Sequence, residues 1–358
     1  MRAEPRPLSR TTFLIGLALL VSLAGAALGQ TPASILPGPK PPDAPQEWKA
    51  WIGDYGPEEV RFTVGESNGR LFIVDKHGKR WEFSDPPIDR FVQAEKTPTT
   101  DVVVSLHRNP YGEQVLRTND LGWSKNTYGV DAQHVARVKP VRAIDELRKE
   151  ALAATPPKET GDFRKPDLAE LAPLDPSIHL DIRYATSNDF LGTPVYSQAR
   201  AFLQRPAAEA LLRAQAKLKP LGYGLLIHDA YRPWYVTKIF WQATPPEGKI
   251  FVADPAQGSR HNRGCAVDLT LYELATGKPI EMPGTYDEMS PRSFPDYPGG
   301  TSLQRWHRDL LRRAMESQGF TVYEAEWWHF DYQDWKEYPI LNVPFEKLGL
   351  DSGAAKAN

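Results

Sequence analysis

SRHNRGCAVDLTL, residues 259–271, sets His261 and Asp268 around an apolar run broken by a glycine. From Gly264 to Leu271 the alternation is that of a strand. Cys265, Val267, Leu269 and Leu271 share one face, and Gly264, Ala266, Asp268 and Thr270 share the other. The first face is plain core. The second carries a carboxylate on a surface cleared by Gly and Ala, which leaves room for something beside Asp268. Cys265 points away from Asp268 and reads as a small buried apolar side chain rather than a ligand.

A His and an Asp separated by six residues form a polar contact more often than a metal site, so the rest of the chain has to decide. EAEWWHFDY, residues 324–332, supplies a second half, with Glu326 three residues before His329. A catalytic zinc takes three protein ligands from His and carboxylate and keeps a position open. His261, Asp268 and His329 would complete such a set, one zinc per chain, and leave Glu326 free to deprotonate a water. On a regular strand Glu326 and His329 face opposite ways, so this reading requires a bend between them.

Around these stretches the pattern is α+β. RPAAEALLRAQAKLKPLG (205–222) reads as a helix with Pro206 in its first turn and Gly222 beyond its end, and YGLLIHDA (223–230) as a buried strand. RPWYVTKIFWQA (232–243) is a helix opened by Pro233. SLQRWHRDLLRRAMESQGF (302–320) is a helix capped near Ser302, with Leu303, Trp306, Leu310 and Ala314 on one face. The expected architecture is an α+β catalytic domain, residues 165–348, with a central antiparallel sheet and flanking helices.

It is preceded by a small all-β domain at 46–135. There VRFTVGESNGRLFIVDKHGKRWEF (60–83) alternates in short runs broken by Asn68-Gly69 and His77-Gly78, a hairpin signature. Residues 136–164, with the helical pattern VRAIDELRKEALAA, read as a connector, and residues 30–45 as a Pro-rich linker. The first 29 residues carry three arginines, a short apolar run and a small-residue cleavage site. They read as a cleaved signal peptide, which places the mature chain in the periplasm or outside the cell without stable membrane insertion. A net charge of −2 gives no footprint for nucleic acid, and a single Cys allows no internal disulfide.

SRHNRGCAVDLTL, DAYRPW, YDEMS and EWWHF together closely resemble the zinc D-alanyl-D-alanine dipeptidases of the vancomycin-resistance type, over about residues 170–345 and in the same order. The resemblance implies zinc on His261, Asp268 and His329, Glu326 as general base and acid, and Arg232 as the stabiliser of the transition state. It also implies substrate contacts at Tyr184, Ser259 and Asp287. Asp287 suits a free ammonium group and Ser259 the terminal carboxylate. The implied substrate is a small D,D-dipeptide or a peptidoglycan-derived peptide, in wall-peptide metabolism or recycling. An exported murein D,D-carboxypeptidase, or a wall-peptide binding protein on the same scaffold, is the alternative. A binding protein has no use for Glu326 and Arg232.

Overall fold

The structure, a computed structural model, describes residues 34–83, 104–118 and 121–349. The expected signal peptide and the first residues of the Pro-rich linker lie outside them. Among the described residues no helix is long and apolar enough to cross a membrane.

The N-terminal part begins with a short helix, α1 (Gln46–Lys49), and two antiparallel meanders. The first runs through β1 (Gly53–Tyr55), β2 (Phe62–Ser67), β3 (Arg70–Asp75) and β4 (Arg80–Glu82). The second runs through β5 (Val104–Arg108), β6 (Gln114–Thr118) and β7 (Leu121–Ser124). Asn68 and Gly69, both at positive φ (54° and 75°), make the tight β2–β3 turn that the Asn-Gly pair demands. Trp48, Trp51, Tyr55, Val64, Ile73, Leu106 and Leu116 close one small core between them.

The chain then runs through α2 (Ile144–Ala153), β8 (Leu168–Glu170), β9 (His179–Leu180), β10 (Phe202–Gln204), α3 (Arg205–Leu218) and β11 (Tyr223–Asp229). It ends with α4 (Trp234–Ala243), β12 (Ala266–Glu273), α5 (Ser302–Glu316), β13 (Phe320–Tyr323) and β14 (Glu326–Tyr332). The central sheet has the order β13-β14-β12-β11-β9. Four of its strands are antiparallel as expected, but β9 pairs parallel to β11, so the sheet is mixed. A two-residue edge strand that enters from a long excursion has no hairpin to fix it antiparallel. β8 and β10 form a separate pair. α5 is held at its start by a capping box between Thr301 and Gln304, one residue before the expected Ser302.

From Ile35 onward the described residues form a single compact unit. The helix expected as a connector contributes Ile144, Leu147 and Ala151 to the main core, alongside residues of α3, α4 and the central sheet. The linker and the β part are also bonded into the catalytic part. Glu66 on β2 accepts from the backbone N and the hydroxyl of Ser302 (both 2.9 Å), Tyr297 donates to the buried Asp54 (2.9 Å), and Trp306 Nε1 donates to Gly38 O (3.0 Å).

His307 lies on the buried side of α5, where the hydroxyl of Tyr223 sits 2.9 Å from its Nε2 and Lys40 donates to that hydroxyl at 2.7 Å. Burial and the Lys40 ammonium push its pKa down to about 4. The unfolded chain therefore takes up this proton first, near the ordinary value of about 6.5. Stability from this group is complete above about pH 6.5, falls as the pH drops to about 4, and is level below it. His307→Gln should remove about 2 kcal/mol of the stability lost between pH 7 and pH 4, measured by urea unfolding at the two values. Equal losses in the two proteins would show that His307 is not held neutral.

Candidate active site

Sheet register brings three acidic and basic groups into one row. Asp268 on β12 pairs with His329 on β14 and, past an irregularity after Ile227, with Asp229 on β11. His261 enters from the 3-10 turn His261–Arg263 just before β12. Gly264 closes that turn at φ 68°, where a Cβ would lie 2.5 Å from Leu168 Cδ2, so the turn requires glycine. The bend expected near Glu326 is present. Val322 pairs with Phe330 but Tyr323 pairs with Glu326, so β14 bulges between these contacts. The bulge brings Glu326 Oε2 to 3.7 Å from His329 Nδ1.

Three ligand-type atoms converge: His261 Nε2, Asp268 Oδ1 and His329 Nδ1. The two nitrogens are 3.1 Å apart, and they lie 3.3 and 3.0 Å from Asp268 Oδ1. The outward nitrogens are already engaged by acceptors. His261 Nδ1 faces Ala230 O at 2.6 Å and His329 Nε2 faces Asp331 Oδ1 at 2.9 Å. Each outward nitrogen must therefore carry a hydrogen, and in neutral rings both inward nitrogens present lone pairs. Asp268 Oδ1 is buried with no hydrogen-bond donor. Three acceptor atoms thus face one another, an arrangement that only a cation or an extra proton relieves. Burial would depress the pKa of His329, but Asp331 and Asp268 outweigh it and raise it to about 10.

The spacing also fits a metal. Bonds of about 2.0–2.1 Å to N and O in a tetrahedral site give ligand–ligand edges of roughly 3.3–3.4 Å, close to the edges seen here. The residues present therefore suit a small divalent cation with His and carboxylate ligands.

Arg232 is buried beside this cluster. Its Nε and Nη2 bond Asp229 Oδ2 at 2.9 and 2.8 Å, and Nη2 lies 3.7 Å from Asp268 Oδ2. The guanidinium also rests over the rings of Phe240 and Tyr184, with centroids at 4.8 and 5.4 Å. Asp229 is fixed in turn by Tyr196, whose hydroxyl donates to it at 2.6 Å. Burial raises the Glu326 carboxyl to about 8, against the pull of His329, so this group holds or releases a proton near neutral pH.

Tyr184 donates to Asp287 Oδ1 at 2.9 Å, while Asp287 Oδ2 is buried without a partner. Asp287 also sits at φ 59°, a left-handed conformation uncommon outside glycine and short polar residues. Ser259 is buried at the turn before His261, and its Oγ accepts from the His261 backbone N at 3.2 Å. All eight residues singled out from the sequence line one cavity of about 700 Å³.

A D-ala-D-ala dipeptidase family model matches residues 164–346. The chain belongs to the D-ala-D-ala dipeptidase family. It is 35% identical to the D-alanyl-D-alanine dipeptidase of Escherichia coli (strain K12), over 50% of this chain and 91% of that protein. It is 36% identical to a namesake in Enterococcus faecalis (strain ATCC 700802 / V583), over 46% of this chain and 92% of the relative. For the Streptomyces coelicolor protein of the same name the figures are 35% identity, 52% and 98%. The family match leaves out the N-terminal β meanders and covers every residue of the cluster described above.

Four supporting residues escaped the sequence reading. Asp331, two positions after His329, was discoverable from strand periodicity, which puts it on the same face. Asp229 lies three residues before Arg232 in the same stretch. Tyr196, which orients Asp229, comes from a loop with no pattern to mark it, whereas Tyr286, whose hydroxyl bonds Asp268 Oδ2 at 3.0 Å and lies 2.9 Å from that of Tyr184, opens the YDEMS stretch beside Asp287.

Proposed function

We propose that this chain is a zinc-dependent D,D-dipeptidase that hydrolyses D-alanyl-D-alanine. The carrying observation is the trio of lone-pair atoms 3.0–3.3 Å apart, with both outward ring nitrogens engaged, beside a buried Glu and a buried Arg. In this reading His261 Nε2, Asp268 Oδ1 and His329 Nδ1 would hold the zinc. When bound, zinc supplies Lewis acidity, polarising a carbonyl and making water more acidic.

The remaining work falls to the chain's own groups. Glu326 takes a proton from the attacking water and returns it to the amine nitrogen as the peptide bond breaks. A carboxyl that burial has moved to about 8 can do both within one turnover. Arg232, clamped by Asp229 and two rings, cannot swing away, so its charge is already placed where negative charge grows on the carbonyl oxygen. Asp287, with one oxygen held by Tyr184 and the other free, receives the substrate ammonium. Ser259 receives the terminal carboxylate. A buried carboxylate that demands a free amine favours a dipeptide over a longer wall peptide, whose corresponding nitrogen is an uncharged amide. Export by the N-terminal 29 residues would place this activity on dipeptide or wall peptides outside the cytoplasm.

Purified full-length chain incubated with D-alanyl-D-alanine should release free alanine. A chelator should stop the release and added zinc should restore it. Turnover indifferent to exhaustive chelation would remove the metal from the mechanism, and no turnover with zinc restored would remove the substrate.

A further inference from the structure

Tyr286 is wedged between Asp268 and Tyr184. Its hydroxyl lies 3.0 Å from Asp268 Oδ2 and 2.9 Å from the hydroxyl of Tyr184, which itself donates to Asp287 Oδ1 at 2.9 Å. Tyr286 has one hydroxyl hydrogen and two acceptors in reach. A carboxylate oxygen is a stronger acceptor than a phenol oxygen, so the hydrogen goes to Asp268.

The two oxygens of Asp268 are thereby placed in unlike settings. Oδ1 has no hydrogen-bond donor and lies 3.3 and 3.0 Å from the inward nitrogens of His261 and His329. Oδ2 takes the Tyr286 hydrogen, with Arg232 Nη2 farther off at 3.7 Å. Among the described residues the Tyr286 hydroxyl is the one hydrogen-bond donor to Oδ2. A carboxylate can offer a cation one oxygen or both, and without this partner Oδ2 is free to turn inward beside Oδ1. A catalytic zinc with three protein ligands needs its remaining position open, and a second carboxylate oxygen would crowd it.

The ring that carries the hydroxyl is held firmly. Tyr286 is 3% exposed, stacks on His228 with centroids 4.5 Å apart and planes at 22°, and meets Trp328 edge-on at 5.6 Å and 74°. His228 is fixed in turn, its Nδ1 lying 3.3 Å from both the backbone O and Oδ2 of Asp181. The hydroxyl is therefore aimed at Asp268 by packing, and a phenylalanine would fill the same space without it.

We propose that Tyr286 is a positioning residue that occupies Asp268 Oδ2, so that Asp268 meets the metal through Oδ1 alone and the fourth position stays open. Tyr184, next to it, serves Asp287 instead. The two neighbouring hydroxyls thus divide metal geometry from amine recognition. The inference rests on the metal-dependent reading of the site given above.

The test loads the full-length chain with cobalt(II) in place of zinc, because the visible bands of cobalt weaken when four-coordinate metal becomes five-coordinate. The parent should show the intense bands of the four-coordinate ion. Tyr286→Phe, which removes only the hydroxyl, should show the weaker five-coordinate bands. With zinc, its kcat on D-alanyl-D-alanine should fall by roughly ten- to a hundredfold while KM stays near that of the parent. Tyr184→Phe should do the reverse, keeping the parent's cobalt bands and raising KM. His228→Ala, which removes the platform and keeps the hydroxyl, should move the bands in the same direction as Tyr286→Phe, but less far. The spectra do not depend on turnover, so a parent that ignores D-alanyl-D-alanine would sink the dipeptidase reading and leave the role of Tyr286 to be decided by the bands. A parent that takes up no cobalt or is already five-coordinate, a Tyr286→Phe spectrum like the parent's, or the same spectral change in Tyr184→Phe would each overturn the proposal.

Discussion

Glu326→Ala is expected to keep its metal and its fold and to lose turnover of D-alanyl-D-alanine by about a thousand- to ten-thousand-fold, the upper range for removal of a general base. The reason is geometric. Glu326 Oε2 stands 3.7 Å from His329 Nδ1, beside the ligand trio without belonging to it. Its removal takes away the proposed proton carrier and leaves His261, Asp268 and His329 in place. Glu326→Asp should fall between the two proteins, since it keeps the carboxylate and withdraws it by one methylene. Metal content and kcat measured on the same samples decide the matter. A zinc-free Glu326→Ala would make Glu326 a ligand, and near-normal turnover would move the base to another carboxylate.

His329→Ala should lose both the metal and the activity. It removes one corner of the trio, and the two atoms left behind, one imidazole nitrogen and one carboxylate oxygen, are too few for a tight zinc site. It also strands Asp331, whose Oδ1 loses the ring nitrogen 2.9 Å away. Zinc measured after dialysis should be near background, and turnover should fall with it. Asp331→Asn is the graded companion. It keeps all three ligand atoms but weakens the acceptor that orients the ring, so zinc affinity should drop by roughly ten- to a hundredfold. Full occupancy in His329→Ala would take that residue out of the site.

Much of the site could be read from local pattern. The alternation through β12 puts Asp268 on a face cleared by Ala266, and the spacing of Glu326 and His329 requires the bulge that β14 in fact has. What periodicity could not supply was the company these residues keep. Tyr286 and Tyr196 reach the site from segments outside any strand or helix, and their hydroxyls find Asp268 and Asp229 through tertiary packing alone. The fold shows the same division. α3, α4 and α5 announced themselves through proline, capping residues and apolar spacing. The parallel pairing of β9 and the entry of α2 into the main core depend on partners far away in the chain, and no local signal encodes them.

The bonds from Glu66 to Ser302, from Tyr297 to Asp54 and from Trp306 to Gly38 join residues 236, 243 and 268 positions apart. The β meanders therefore leave the ribosome long before the helix they steady exists. At synthesis rates of about 5–20 residues per second they wait on the order of ten seconds or more for their partner. Contacts of such long sequence separation carry the loop-closure entropy that slows folding. The contacts that seat Ser302 on Glu66 and Trp306 on Gly38 are therefore among the last that the growing chain can complete.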